Sequence, residues 1–208
     1  MRRAIYLWIC WAALWGGAQA EILDRIAVSV GNRVITQSDV DREIRITALL
    51  NGDQPDFSSA NKRATAERMV DQALVRIELE ASRYLVPAPE EADAALQELR
   101  RRFPDALAYH RALAAHGVDE DDLKARLLWQ LTLVRFVGVR FRPGIQVGDE
   151  EIRNYYNEHF RGESVTLDDA RDQIEQILIG QAANQQADEW LKEARKRTRI
   201  DSHEEAFE

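Results

Sequence analysis

Hydrophobic and polar positions alternate at the start of the stretch 24–46, DRIAVSVGNRVITQSDVDREIRI. Every second residue from Ile26 to Val30 is a larger aliphatic one, and a period of two predicts a half-buried β-strand. The segment Gly31 to Arg33 predicts a tight turn, because glycine and asparagine adopt positive φ angles at low cost. The pair Val34-Ile35 resumes the strand pattern. These residues therefore predict a β-hairpin.

A helix is predicted directly after the hairpin, over about Asp39 to Leu50. Thr36 or Ser38 can cap its first turn, since a hydroxyl oxygen there accepts a hydrogen bond from a free backbone N–H. Asp39 and Asp41 fall in the first turn, where the helix dipole favours negative charge. Judged by propensity alone, this ββα unit is an ordinary part of a hydrophobic core.

The rest of the chain shows helical periodicity, interrupted by stretches that contain glycine, proline and polar residues. Apolar residues recur every three or four positions, and charged residues occupy the opposite face. The predicted helices cover about 58–85, 89–102, 106–116, 120–141, a short segment from 149, and 166–197. Residues 198–201 predict a final short strand, and 202–208 predict a flexible tail.

The helix over 120–141 is the most apolar of these segments. Its main apolar stripe consists of Leu123, Leu127, Leu131 and Val134. Further apolar residues widen that stripe around much of the helix, which is typical of a helix buried between neighbours. We therefore expect a mostly α, multi-helix fold with this helix at its centre. A small β-sheet would pair the N-terminal hairpin with the C-terminal strand near Ile200.

The charge balance excludes two classes of partner. The formal net charge is −8, and removal of residues 1–20, which contain Arg2 and Arg3 but no acid, leaves −10. Binding to nucleic acid depends on lysine and arginine that neutralise phosphates, and anionic membrane surfaces attract basic segments. We therefore expect no nucleic-acid partner and no attraction to an anionic membrane surface.

The first twenty residues have the organisation of a signal peptide. A basic start, Met1 to Arg3, precedes an apolar segment from Ala4 to Trp15 and a small-residue cleavage site at Ala18-Gln19-Ala20. The apolar segment is shorter than the ~20 residues of a membrane span. We therefore predict cleavage after residue 20 rather than a retained anchor, export to the periplasm, and no stable membrane span afterwards.

Residues that could carry chemistry are sparse. The only cysteine, Cys10, lies in the predicted signal peptide, so the exported chain would have no disulfide, cysteine metal site or thiol nucleophile. The four histidines are scattered, and adjacent acid pairs stand where helices begin, which is the capping role. The sequence contains no HExxH, GxGxxG, GxSxG or P-loop motif. We therefore predict no catalytic residues, no metal and no cofactor.

Several stretches resemble those of SurA-type periplasmic chaperones, in the same order along the chain. They are the opening 24–36 with Ser38-Asp39-Val40-Asp41, the step 117–123, the segment 147–156 (VGDEEIRNYY), and the long segment 167–195. The resemblance implies the N-terminal chaperone domain of that family over 21–160. It also implies a C-terminal helix and strand over 161–201 that complete the same domain, before the tail at 202–208.

One departure from the family pattern limits what the resemblance implies. Relatives carry a parvulin-type prolyl isomerase module between the positions of Phe160 and Leu167, where this chain has only six residues. The expected function is therefore that of an ATP-independent holdase, not an enzyme. It would bind unfolded or nascent polypeptides, above all outer-membrane β-barrel proteins, and so assist their folding and assembly.

Such clients expose alternating apolar side chains, and an apolar groove between helices could hold them. The candidate peptide-binding residues are Trp129, Phe136, Phe141, Tyr155 and Tyr156, although each also fits a core position. Three alternatives stay open at this stage. The chain could be an isomerase-family member with residual or lost activity, an assembly subunit with one fixed partner, or a homodimer that exchanges its first and last elements.

Overall fold

A computed structural model describes residues 24–82, 84–160 and 165–208, and the predicted signal peptide lies outside them. These residues form mostly helices and one small sheet, as the sequence predicts. The elements are β1 (Ile26–Val30), β2 (Arg33–Thr36), α1 (Gln37–Asn51), α2 (Ser59–Ser82), α3 (Glu91–Arg100), α4 (Ala106–His116), α5 (Glu120–Phe141), α6 (Asp149–His159), α7 (Leu167–Arg197) and β3 (Ile200–Ser202). A 3-10 turn, Glu204–Ala206, follows β3.

The sheet joins the two ends of the described chain. Its strand order is β2-β1-β3, and both pairings are antiparallel. Val30 is opposite Ile200 and Val28 is opposite Ser202. The N–H of Gly31 also donates to the carbonyl of Arg199 at 2.9 Å. The predicted pairing of the N-terminal hairpin with a C-terminal strand is therefore confirmed.

Local capping signals explain why several helices have the predicted bounds. The Thr36 side chain accepts from the Asp39 N–H at the start of α1, and Asp119 does the same for Asp122 at the start of α5. Gly117 ends α4 with a φ of 61°, in the left-handed region that glycine adopts without steric cost. Such caps satisfy backbone groups that a helix end leaves free.

The expectation of a flexible tail over 202–208 is wrong. Ser202 belongs to β3, and Phe207 is 2% exposed within the core formed by the sheet, α1, α2 and the end of α7. Arg63 of α2 pairs with Glu204 at 2.7 Å. Ala206 and Phe207 are two apolar residues among acidic ones, so the sequence shows no periodicity that would predict their burial. They are buried because they fill space beside β1 and α2.

The helices build three further clusters around α5 and α7. One joins α1, α3, α4 and α5, the second joins α2, α5 and α7, and the third lies between α6 and the N-terminal part of α7. α5 contributes to the first two and packs against α1, α3 and α7, which places it centrally, as expected. Val134, however, which the apolar stripe predicts to be buried, is 72% exposed. The partners of α5 cover only part of its circumference.

The buried tail yields a prediction about stability. Replacement Phe207→Ala should lower the free energy of unfolding by about 3–5 kcal/mol, because it removes a large side chain from a closed core and leaves a cavity. Urea unfolding monitored by circular dichroism measures the change. Phe57→Ala is the matched control, since Phe57 is 41% exposed and should cost far less. Equal costs for the two variants would contradict the assignment of Phe207 to the core.

Candidate functional site: the apolar surface of helix α5

The five aromatic residues proposed from the sequence do not come together. Trp129, Phe136 and Phe141 are buried members of one core cluster. Tyr155 and Tyr156 are half-buried and belong to the separate cluster between α6 and α7. The structure therefore offers no single aromatic groove that contains all five residues.

The buried aromatics of α5 make a dense packing unit. The Phe136 ring makes edge contacts with the rings of Tyr84, Phe141 and Trp190, at centroid distances of 5.5, 5.7 and 5.5 Å. Edge-to-face geometry is the favoured arrangement of aromatic pairs, and burial of such rings contributes strongly to core stability. These side chains hold α5 against α2 and α7. They thereby fix the position of the residues that α5 exposes to solvent.

Aliphatic side chains are exposed on the outer face of α5 and beside it. Val134 is 72% exposed, Val139 is 57% exposed, and Leu85, after the end of α2, is 89% exposed. Val86, next to Leu85, is also exposed. We call this region, together with the two grooves described next, the α5 surface.

The first groove lies between the C-terminal half of α5 and the middle of α7. Its volume is about 410 Å³. It is lined by Leu133, Val134, Val137, Gly138, Arg142, Gly180, Ala183 and Asn184. We call it the α5–α7 groove.

The second groove lies on the other side of α5, against the end of α2 and the segment that follows it. Its volume is about 400 Å³. It is lined by Leu79, Ser82, Tyr84, Leu85, Thr132, Arg135, Phe136 and Val139. We call it the α2–α5 groove. Phe136 is the one predicted site residue that lines either apolar groove.

Ion pairs fix the walls of the α2–α5 groove and neutralise the charges there. Arg135 donates two hydrogen bonds to Glu91, at 2.7 and 3.3 Å. Arg140 donates to Glu78 at 2.7 Å and to the Tyr84 hydroxyl at 2.9 Å. Bidentate and multiply bonded guanidinium groups hold their partners in a defined geometry. Arg135 and Arg140 therefore each have a carboxylate partner beside the groove.

Trp129 lies in a different environment from the apolar grooves. It forms part of the wall of a polar cleft of about 230 Å³ between α1, α2 and α5. The guanidinium of Arg76 stacks on its ring, 3.8 Å from the ring centroid. Partial burial lowers the pKa of Arg76, and the nearby Arg33 lowers it further. Trp129 thus contributes a cation–π contact between α2 and α5.

Within 24–82, 84–160 and 165–208, no group of three His, Cys, Asp or Glu side chains is placed to hold a metal ion. Across those ranges, no helix combines the length and the apolar character that crossing a bilayer requires. His116 contacts the carbonyls of Ala112 and Asp53 at 2.8 and 3.0 Å, and so connects α4 with the loop after α1.

No protein-family model matches the chain, and no curated protein is significantly similar to it. The functional interpretation therefore depends on the geometry of the α5 surface and on the sequence features described above.

The Arg135–Glu91 pair leads us to predict a lowered pKa for Glu91. The hydrogen bond from Arg135 is the largest cause that lowers the pKa of Glu91, and the Ala88 N–H contributes as well. A carboxylate whose pKa is lowered by folding stabilises the fold above its unfolded pKa, and this stabilisation is lost as the pH falls through the folded pKa. Its titration, followed by carbon-13 NMR, should have a midpoint below the ordinary value of 4.5.

Arg135→Gln should raise the pKa of Glu91 towards its ordinary value. Arg101→Gln serves as the control, because Arg101, which directly follows α3, pairs with Glu98 and not with Glu91. A midpoint for Glu91 that is the same in both variants would show that the Arg135 pair does not form in solution.

Proposed function

We propose that the protein is an ATP-independent periplasmic chaperone of the SurA type, without the isomerase module, that holds unfolded outer-membrane or exported polypeptides. The observation that carries this proposal is the α5 surface, where exposed aliphatic side chains lie beside two apolar grooves. Exposed apolar side chains beside apolar grooves are typical of a site for binding another polypeptide. The predicted signal peptide and the ordered sequence resemblance support the same proposal.

The size of the grooves favours weak and reversible binding. Burial of one exposed aliphatic side chain contributes roughly 1.5–3 kcal/mol, while association itself costs several kcal/mol of lost freedom. A few such side chains therefore give affinities nearer to micromolar than to nanomolar. A holdase that works without ATP needs this range, because its clients must leave without an energy-driven step.

The acidic balance of the chain suits a holdase. With a net charge of −10 after removal of the predicted signal peptide, complexes with apolar clients repel one another and stay soluble. The negative charge also disfavours binding to nucleic acid and to anionic membrane surfaces, neither of which is an expected partner. The polar exterior and the local apolar surface thus have complementary roles in this proposal.

Mutation of the α5 surface tests this function. The purified protein in excess should suppress the aggregation of a denatured porin on dilution, measured by light scattering without ATP. The double variant Val134→Glu, Val139→Glu should need several-fold more protein for the same suppression, because clients would have to bury charge beside apolar side chains. Glutamate is a good helix former, so α5 should remain folded.

Leu107→Glu is the matched control, because Leu107 is as exposed as Val139, at 57%, but lies on α4. It should suppress aggregation like the unmodified protein. Failure of the unmodified protein to suppress aggregation, combined with capture of one stoichiometric partner, would favour the alternative of an assembly subunit.

A second test concerns enzymatic activity. We expect a proline-containing peptide to isomerise at its uncatalysed rate in the presence of the protein, because six residues between Phe160 and Leu167 leave no room for a parvulin module. A protease-coupled isomerisation assay measures this rate, with a known parvulin as the positive control. Catalysis above background would revive the alternative of an active isomerase.

A further inference from the structure

The walls of the α5–α7 groove are depleted of charge. In α7, no residue from Gln176 to Ala187 is charged, and in α5 the same holds for 127–134 and 136–139. Charged residues make up 31% of the whole chain, so their absence from the exposed positions of the α7 tract is unusual. Side chains on this part of α7, such as Gln181 and Asn184, are exposed. Depletion of charge at an exposed surface is a mark of protein-binding interfaces.

Two glycines line the same groove from opposite walls. Gly138 lies within α5 and Gly180 within α7. Glycine inside a helix is less stable than alanine, yet a Cβ atom at either position would have no packing neighbour within 4 Å. The packing of this chain therefore does not require glycine at these positions. Glycine is useful where another main chain must approach closely.

The groove also contains an amide suited to main-chain groups. Asn184 lines the groove, and its side chain is exposed there. A side-chain amide can donate and accept at once. An extended polypeptide presents both N–H and C=O groups that need partners, whereas a helix satisfies these groups internally.

We propose that the α5–α7 groove binds the main chain of an extended, uncharged polypeptide segment. The backbone of the segment would pass beside Gly138 and Gly180, and its apolar side chains would pack against Leu133, Val137 and Ala183. This inference rests on the proposed function and names the place and the chemistry of client binding. Charged segments are disfavoured, because the walls contain no described counter-charge except Arg142 at one end.

Filling the space above the glycines tests this assignment. The double variant Gly138→Ala, Gly180→Ala should have a higher Tm, by roughly 4–8 °C, because alanine favours both helices. It should nevertheless bind a fluorescently labelled decapeptide of alternating valine and serine at least tenfold more weakly, as measured by anisotropy. Asn184→Leu should also weaken binding. A peptide with glutamate and lysine in place of serine should bind the unmodified protein more weakly than the uncharged peptide.

The outcomes separate this inference from the proposed function. A double variant that binds the peptide and suppresses porin aggregation like the unmodified protein would overturn the groove assignment and leave the holdase proposal standing. An unmodified protein that neither binds the peptide nor suppresses aggregation would overturn both. A dimer that the double variant converts to monomer, with peptide binding unchanged, would make a second copy the occupant and would also overturn the inference. Higher stability with weaker binding supports it.

Discussion

Antiparallel pairing of β3 with β1 is the constraint on which the rest of the structure depends. It brings the end of α7 back to the first strand, with Val30 opposite Ile200, and it covers an edge of β1 that would otherwise have unpaired backbone groups. Arg195 strengthens this closure, because it bonds both Glu67 and Asp71 of α2 at 2.7 Å. The course of α7 past α2 and α5 follows from that anchor. Both grooves of the α5 surface have walls that this packing holds in place.

The parts of the fold that could be predicted are those with local causes. Asp119 and Gly117 mark helix ends by capping chemistry that involves only neighbouring residues, so the bounds of α4 and α5 follow from the sequence. The pairing of β1 with β3 was expected because strand patterns occur near both ends of an otherwise helical chain, although no local pattern specifies a partner so distant in the chain. Phe207 shows the opposite case. Its burial depends on a cavity formed by distant elements, and a short acidic segment gives no sign of that cavity.

The candidate site was predictable only in part. The sequence correctly indicated that α5 is apolar around much of its circumference, but periodicity does not show which arc the neighbours leave open. Val134 lies two residues from both Thr132 and Phe136, about 200° around the helix from each, so burial of those two residues leaves it exposed. Trp129, Phe136 and Phe141 were reasonable peptide-binding candidates by size. Large rings bury the most area, however, and all three of these residues are buried in the core.

The arrangement of α6 against α7 has a consequence for where this fold could accept an inserted module. α7 extends over 31 residues, or roughly 46 Å, and α6 packs chiefly on its N-terminal part, with a small cluster of its own around Ile152 and Ile174. Phe160 and Leu167 stand at the far end of this hairpin from the sheet. An entire domain could be spliced in or excised at that point without altering β1, β3 or the residues that pack on them. An activity added at that position would therefore leave the packing of the sheet and of its core unchanged.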